Sequence, residues 1–119
     1  MGKKILVIDD DRMSAELVKR KLTDNGYEIM YAADGQEALG QLALGLPDLI
    51  LLDVEMPKMN GYTFIMEKAK VAAYAAVPVI VLTAHQETAP LFKRHGVRAY
   101  LSKPLNMEQL LDKAAEILK

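Results

Sequence analysis

Three short apolar runs most constrain the fold of this 119-residue chain. They read ILVI at residues 5–8, LILL at 49–52 and VIVL at 79–82. None of them alternates between apolar and polar residues, as a strand with one face in water would, so each run predicts a β-strand that is covered on both faces. Weaker runs at residues 27–32 and 98–102 predict two further strands nearer the edges of the same sheet.

Amphipathic segments separate these runs and predict helices. In the first helix Ala15, Val18 and Leu22 form one apolar face, and an Asn-Gly pair at residues 25–26 ends it. A second, short helix is predicted over residues 36–44, directly after an Asp-Gly turn.

Three more helices are predicted in the second half of the chain. The third begins at Asn60-Gly61. Its predicted apolar face comprises Tyr62, Ile65, Ala69 and Ala72. The fourth begins near Ala89 and ends at Gly96, because Pro90 fits only the first turn of a helix. The fifth has Asn106 as its expected N-cap. Its apolar residues are Met107, Leu110, Leu111, Ala114, Ile117 and Leu118.

The alternation of strands and helices indicates one α/β domain over residues 1–119. Right-handed crossovers then give a single doubly wound five-stranded parallel sheet, (βα)5, with helices on both faces. The hydrophobic fraction of 51% excludes a disordered chain, and the lack of cysteine excludes disulfides and thiolate metal sites. With no apolar run of membrane-spanning length, no signal peptide and no basic cluster, we expect a cytoplasmic protein that binds neither membranes nor nucleic acid directly.

Polar residues follow the predicted strands at their carboxyl ends, where doubly wound sheets place their functional crevice. They are Asp9, Asp10 and Asp11 after the first strand, Asp53 after the third, Thr83 after the fourth, where Ala84 follows it, and Lys103 after the fifth, where Pro104 follows it. If the first and third strands are neighbours, Asp9, Asp10 and Asp53 converge. Two carboxylates about 4 Å apart repel by roughly 4 kcal/mol at an effective dielectric constant near 20. Such a cluster must share protons, find a lysine or bind a cation.

The residues around these acids favour one class of ligand. Lys103 can offset one negative charge, and a shallow site of carboxylates and water suits Mg²⁺ better than a calcium cage. A zinc site would need His or Cys ligands, and His85 and His95 do not have the required spacing. The acidic first loop would repel a nucleotide phosphate bound directly. The pattern therefore favours a phosphoryl group delivered to a carboxylate, with a metal and Lys103 neutralising charge in the transition state.

Each of these residues also has a simpler interpretation. The acids after the first strand are equally well explained as caps of the first helix, and Asp53 as a turn residue. Thr83 is ordinary strand composition, and Lys103-Pro104 is typical of a surface loop. Their joint occurrence at the same end of successive strands is what favours a functional site.

Five segments resemble the receiver domain of two-component response regulators. They are KILVIDDD, GYEIMYAADGQEAL, PDLILLDVEMPKMNG, VPVIVLTA and AYLSKPL, in family order over essentially the whole chain. The resemblance implies a CheY-like, flavodoxin-like fold and a phosphorylation-dependent signalling switch rather than an enzyme acting on an external substrate. Asp53 would accept a phosphoryl group from the phosphohistidine of a sensor histidine kinase or a histidine phosphotransfer protein.

The resemblance also implies a metal site and a set of phosphoryl contacts. Asp10 and Asp53 would ligate Mg²⁺ or Mn²⁺, joined by the backbone carbonyl of Glu55 and, through a water, by Asp9. The Thr83 hydroxyl and the Ala84 amide would bind phosphoryl oxygens.

Three further features follow from the same resemblance. Lys103 would pair with the phosphoryl group, and the peptide bond before Pro104 would be cis. Tyr100 occupies the switch aromatic position, which turns inward when Thr83 moves toward the phosphate. Family members can also form phosphorylation-linked dimers and act on a downstream target or output domain, neither of which the sequence identifies.

Glu55 and His85 lie two residues after Asp53 and Thr83, at positions that tune the lifetime of the acyl phosphate in the family. The segment between Ala84 and Gly96 is slightly shorter than is usual there and contains a proline. Because of that departure, the resemblance does not carry the usual partner or dimer surface over to this chain. It still implies the phosphorylation chemistry.

Three alternatives remain open. The first is a receiver that is no longer phosphorylated and serves as an interaction module. The second is an aspartyl-phosphate phosphatase of the haloacid-dehalogenase type, for which Glu55 offers the second acid, although the chain leaves no length for a cap domain. The third is a flavodoxin-like cofactor binder, against which the acidic first loop counts.

Overall fold

The secondary structure alternates between strands and helices along the chain. The computed structural model describes residues 2–53, 61–84 and 96–118. The strands are β1 Lys4–Ile8, β2 Glu28–Ala32, β3 Leu49–Asp53, β4 Val79–Thr83 and β5 Val97–Ser102. The helices are α1 Arg12–Asp24, α2 Gly35–Leu44, α3 Gly61–Ala69, α4 Ala72–Ala75 and α5 Met107–Ile117. Within these residues no helix is long and apolar enough to cross a membrane.

All five strands form one parallel sheet in the order β2-β1-β3-β4-β5. The order reverses beside β1, because β2 pairs with one edge of β1 and β3 with the other. The predicted doubly wound sheet is therefore confirmed, and the ends of β1 and β3 are neighbours. The crevice that such a reversal creates lies beyond the carboxyl ends of these two strands.

The core has one apolar layer on each face of the sheet. One layer joins alternate residues of the central strands, such as Leu6 and Ile50, to the buried side chains of α2 and α3. The other joins the intervening residues, such as Ile5 and Leu51, to the buried side chains of α1 and α5. Every residue of β3 and β4 is buried, as the continuous apolar runs predict.

Helices α1, α2 and α5 follow the predicted patterns closely. The predicted face of α1 is buried, and Asn25 is the C-cap of the helix, followed by Gly26 with φ of 90°. In α2 the helix begins at Gly35, one residue earlier than predicted, because the Asp34 side chain caps it by accepting from the Glu37 amide at 2.9 Å. Asn106 caps α5 by accepting from the Gln109 amide at 3.0 Å.

The predicted face of the third helix is confirmed at Ile65 and wrong at Tyr62 and Ala72. The buried residues of α3 are Gly61, Phe64, Ile65 and Lys68. Tyr62 is 42% exposed, and Ala72 belongs to the separate helix α4 because the chain turns after Ala69. A periodicity pattern leaves out Lys68 because a lysine counts as polar, although its four-carbon stem can fill an apolar position. The predicted fourth helix, with Ala89 and Pro90, lies outside the described residues apart from Gly96, its expected end.

Lys68 is fully buried at the amino-terminal edge of the sheet. Its Nζ donates a hydrogen bond to the Ala75 carbonyl at 3.2 Å, and burial lowers the pKa of the ammonium to about 8. Gly96 has φ of 83°, and a Cβ added to it would lie 3.2 Å from the Ala75 oxygen and 3.5 Å from Lys68 Nζ. The lysine therefore joins α3 to the end of α4 beside the turn that enters β5.

Candidate functional site

Three carboxylates meet at the carboxyl ends of β1 and β3. Asp9 and Asp10 follow β1 directly, and Asp53 is the last residue of β3. One carboxylate oxygen from each lies within 4.8 Å of the other two. Asp9 and Asp53 are only 4% and 2% exposed, whereas Asp10 faces the solvent. The predicted convergence of these three residues is thus present in the fold.

Asp9 is held by hydrogen bonds to its backbone and to its side chain. Its amide donates to the Ala32 carbonyl at 3.1 Å, and its carbonyl accepts from the Tyr31 hydroxyl at 2.7 Å. Its Oδ1 accepts from the Asp11 amide at 2.9 Å. Burial raises the pKa of Asp9 to about 6, the Asp11 amide opposes that rise, and the nearby negative charge of Asp53 adds to it.

Asp11 has a different function from the two acids before it. Its carboxylate accepts hydrogen bonds from the amides of Met13 and Ser14 and from the Ser14 hydroxyl, so it is the N-cap of α1. These hydrogen bonds lower the pKa of Asp11, and the bond from the Ser14 hydroxyl contributes most. Helix capping therefore accounts for Asp11 alone, and it leaves Asp9 and Asp10 available to the carboxylate cluster.

Lys103 reaches the cluster from the other side. Its Nζ lies 2.9 Å from Asp53 Oδ2, and its amide donates to the Thr83 carbonyl at 3.0 Å, which continues the β4–β5 ladder by one residue. The Lys103–Pro104 peptide bond is cis, as the resemblance implies. The site thus brings three carboxylates and one ammonium to one end of the sheet.

Thr83 and Tyr100 lie on the two strands next to β3. Thr83 is the last residue of β4 and is fully buried, and Ala84 after it is exposed. Tyr100 is paired with Val81, and its ring packs against the apolar layer formed with α2 and α3. The Tyr100 hydroxyl is buried and has no hydrogen-bond partner within the described parts of the chain, and burial raises its pKa.

Two predicted site residues, Glu55 and His85, lie outside the described residues. The role of the Glu55 carbonyl as a metal ligand therefore stays a prediction, and so does the effect of both residues on the lifetime of the acyl phosphate. Conversely, the contact of Tyr31 with Asp9 had no sequence signal, because a tyrosine in a strand is ordinary strand composition.

The donor set suits a small, hard divalent cation. Three carboxylates offer only oxygen ligands, of the kind that Mg²⁺ takes together with several waters. Burial is the main reason for the raised pKa of Asp9, and repulsion from Asp53 adds to it although the charge of Lys103 acts in the opposite direction. A bound dication would remove that repulsion.

The doubly wound sheet carries an acid cluster and a lysine at its carboxyl edge, and comparison with known proteins identifies the family. The chain belongs to the response regulator receiver domain family, whose model matches residues 5–115. Response regulator MprA of Mycolicibacterium vanbaalenii is 36% identical over 121 residues, and so is that of Mycobacterium tuberculosis H37Rv. Both alignments cover 100% of this chain and 52% of the relative, so the chain spans about half the length of these relatives.

Solved structures give the same assignment. The chemotaxis response regulator CheY4 of Vibrio cholerae superposes with a TM-score of 0.92 at 34% identity, over 99% of this chain and 100% of that one. The receiver domain of a signal transduction histidine kinase from Syntrophus aciditrophicus gives 0.89 at 29% identity, over 98% and 90%. The chain therefore has the CheY-like, flavodoxin-like fold and is a receiver domain of the kind found in the response regulators of two-component systems.

Proposed function

We propose that this receiver domain is a phosphorylation-dependent switch whose phosphoacceptor is Asp53. The observation that carries the proposal is the 2.9 Å contact between Lys103 Nζ and Asp53 Oδ2 inside a cluster of three carboxylates. A structural ion pair would not need two further acids beside it, whereas a phosphoryl-transfer site needs both a cation-binding cluster and a fixed positive charge.

The chemical step is a transfer from nitrogen to oxygen. A carboxylate oxygen of Asp53 attacks the phosphorus of a phosphohistidine on a sensor histidine kinase or a histidine phosphotransfer protein. The P–N bond breaks, its electron pair stays on the imidazole nitrogen, and an acyl phosphate forms on Asp53. Lys103 lies close enough to follow the negative charge as it moves from the carboxylate to the phosphoryl oxygens. Later attack by water on phosphorus breaks the P–O bond to Asp53, which releases inorganic phosphate and returns the carboxylate. The domain thereby takes part in both its own phosphorylation and its own dephosphorylation.

The proposed cofactor is Mg²⁺, or Mn²⁺ in its place. Asp10 and Asp53 would bind it directly and Asp9 through a water, with the Glu55 carbonyl as a further ligand. When bound, the ion would neutralise charge on the transferring phosphoryl group. Burial of Asp9 and Asp53 keeps two of these ligands on the rigid ends of β1 and β3, which supports a preformed cation site.

Phosphorylation would act by shifting a population between two arrangements. The Thr83 hydroxyl and the Ala84 amide stand at the end of β4, from where both could donate to phosphoryl oxygens. Tyr100 follows on the neighbouring strand, and its buried hydroxyl without a partner among the described residues is costly in this arrangement. Once Thr83 is drawn to the phosphate, an arrangement that gives the Tyr100 hydroxyl a partner would be favoured. A downstream target, an output domain or a phosphorylation-linked second copy would bind the surface of that arrangement.

The phosphodonor is proposed to dock on α1. Met13 and Leu17 are 80% and 62% exposed on that helix. A cleft of about 380 Å³ connects Leu17 to Asp9 and Lys103. A phosphohistidine-bearing protein with an apolar surface could cover these two side chains while its imidazole enters the cleft. We propose a cytoplasmic location, since that is where such a donor meets a receiver.

The test is intact mass after incubation with acetyl phosphate, with and without Mg²⁺. We expect wild-type protein to gain the mass of one phosphoryl group only when Mg²⁺ is present, and Asp53→Asn to gain nothing. Asp48→Asn is the matched control, because Asp48 is an exposed carboxylate immediately before the same strand, at its opposite end. That variant should be phosphorylated like wild type.

Two results would overturn the proposal. Phosphorylation of Asp53→Asn at the wild-type level would move the acceptor to another residue. A wild-type protein that binds Mg²⁺ but takes no phosphoryl group, either from acetyl phosphate or from phosphorylated histidine kinases, would be an interaction module without the switch chemistry.

A further inference from the structure

The side chain of Tyr31 connects the edge strand β2 to the carboxylate cluster. Its hydroxyl donates to the Asp9 carbonyl oxygen at 2.7 Å, while its ring packs in the apolar layer beneath α1 and α5. Tyr31 also lines a groove together with Val7 of β1 and Ala15 of α1. The half-buried ring thus packs against the apolar layer and borders the groove, and the position of the ring sets that of the hydroxyl.

The hydrogen bond acts on a particular peptide group. The Asp9 carbonyl belongs to the planar unit that joins Asp9 to Asp10, so holding its oxygen also fixes the direction of the Asp10 amide and Cα. The preceding peptide is held as well, because the Asp9 amide donates to the Ala32 carbonyl at 3.1 Å. Strand β2 thus constrains the loop on both sides of Asp9, once through its backbone and once through the Tyr31 hydroxyl.

The chemical state of Tyr31 suits a permanent donor. Burial raises the pKa of its hydroxyl, and the charges of Asp9, Glu37 and Asp10 raise it further against the opposing effect of Arg12. The hydroxyl therefore keeps its proton throughout the neutral range, and the bond to the Asp9 carbonyl does not depend on pH there.

We infer that Tyr31 is a positioning residue for divalent-cation binding. By fixing the Asp9–Asp10 peptide, its hydroxyl places both carboxylates toward Asp53 before the cation arrives. Without the hydroxyl the loop samples more orientations, and binding must order it. Outer residues that orient metal ligands affect metal affinity by about 10- to 100-fold when they contact the ligand side chain. A contact to the backbone is weaker, and one neutral hydrogen bond corresponds to about fivefold in affinity.

The inference rests on the proposed function only where it extends to the rate of phosphorylation, because cation binding itself can be measured without phosphorylation. Mg²⁺ is titrated into the metal-free protein and followed by calorimetry and by the amide NMR signals of the β1–α1 loop. We expect Tyr31→Phe to raise the Mg²⁺ dissociation constant about threefold to tenfold. In phosphorylation by acetyl phosphate, the Mg²⁺ concentration for half the maximal rate should rise by the same factor, with the maximal rate at saturating Mg²⁺ unchanged.

Tyr27→Phe is the matched control. Tyr27 packs in the same apolar layer and directly precedes the same strand, but it lies at the end opposite the carboxylates. Removing its hydroxyl should leave Mg²⁺ affinity at the wild-type value. Urea unfolding of both variants separates a general loss of stability from the effect on the site.

The outcomes distinguish the inference from the proposed function. If Tyr31→Phe binds Mg²⁺ as wild type does, the positioning role is wrong, and the phosphoacceptor proposal stands. If the variant lowers the maximal rate and leaves the Mg²⁺ dependence unchanged, the tyrosine acts on another step, and the inference is again overturned. If wild type is phosphorylated without Mg²⁺, the role of the cation in the proposed function fails, while the measured dissociation constants still decide the role of Tyr31.

Discussion

Replacing Lys68 with methionine should stabilise the domain at neutral pH, and the gain should disappear in alkaline solution. Methionine has nearly the length and volume of the lysine stem, so it can fill the same apolar position of α3. The change removes a fully buried ammonium whose hydrogen bond within the described chain goes to the Ala75 carbonyl. A charge buried with so little compensation destabilises the folded state.

The size of the effect follows from the pKa of Lys68. Burial lowers it from 10.5 to about 8, and at about 1.4 kcal/mol per pH unit this corresponds to roughly 3 kcal/mol against folding. Loss of the hydrogen bond to Ala75 offsets about 1 kcal/mol of the gain. We therefore expect Lys68→Met to be about 2 kcal/mol more stable than wild type at pH 7.

The direction of the pH dependence is fixed by linkage. Between pH 8 and 10.5 the unfolded lysine still binds a proton that the folded protein has released, so wild-type stability rises with pH in this window relative to a variant without the lysine. Below pH 8 both states are charged, and the full penalty is present. Above about pH 10.5 the variant should be the less stable protein, because only the lost hydrogen bond remains.

Urea unfolding followed by far-ultraviolet circular dichroism at pH 7, 8, 9 and 10 measures this difference, and subtracting the two proteins cancels the titration of all shared groups. Lys19→Met is the control, because Lys19 is exposed on α1. Its stability relative to wild type should not change over this range. A constant difference between wild type and Lys68→Met from pH 7 to 10 would show that the lysine is not buried as a strained charge, and it would refute the reasoning.

Three other predictions concern the site and the turn before β5. In the metal-free protein the raised pKa of Asp9 means that the folded state disfavours the charged carboxylate, so wild-type stability falls as pH rises from 3.8 to about 6. Asp9→Asn should lack this loss and unfold at a higher urea concentration at pH 7, whereas an equal midpoint would contradict a cost of burying the Asp9 charge beside Asp53. Asp11→Ala should lower the thermal midpoint through loss of the α1 cap while Mg²⁺ affinity by calorimetry stays near wild type; a large loss of affinity would make Asp11 part of the site. Gly96→Ala should cost at least 1–2 kcal/mol in urea unfolding, because φ is 83° and the new Cβ would lie 3.2 Å from the Ala75 oxygen. Gly40→Ala, with no atom within 4 Å of the new Cβ, is its control and should not destabilise.

Much of the fold could be predicted because each central strand is a continuous apolar run. A segment such as LILL has no polar face to offer to water, so burial on both faces is the one arrangement open to it in a sheet. The position of the acids followed in turn, since the carboxyl ends of parallel strands share one edge. Asp53 and Lys103 are 50 residues apart along the chain, yet strand order alone brings them to the same side.

The other features of the fold and the site depend on contacts between particular side chains, and hydrophobic periodicity carries no information about such contacts. Lys68 belongs to the core because its stem fits between α3 and the Ala75 carbonyl, and only the packed structure offers that acceptor. The separation of Asp11 from Asp9 and Asp10 required the direction of each carboxylate, which three identical residues in a row cannot reveal. The Tyr31 contact required the alignment of β2 beside β1.

Because of the strand order, the strand that carries Asp53 and the strand that precedes Lys103 should differ in local stability. Asp53 ends the central strand β3, which has a hydrogen-bonded neighbour on each side, whereas Lys103 follows β5 at the edge of the sheet. Edge strands open at lower free energy than central ones, and amide hydrogen exchange should therefore be slow along Leu49–Asp53 and faster along Val97–Ser102. The lysine can then leave the carboxylate during brief openings of the edge strand that do not disturb the strand carrying Asp53. We therefore expect two separate relaxation times, one for the residence of the Lys103 ammonium at Asp53 and one for the opening of strand β3.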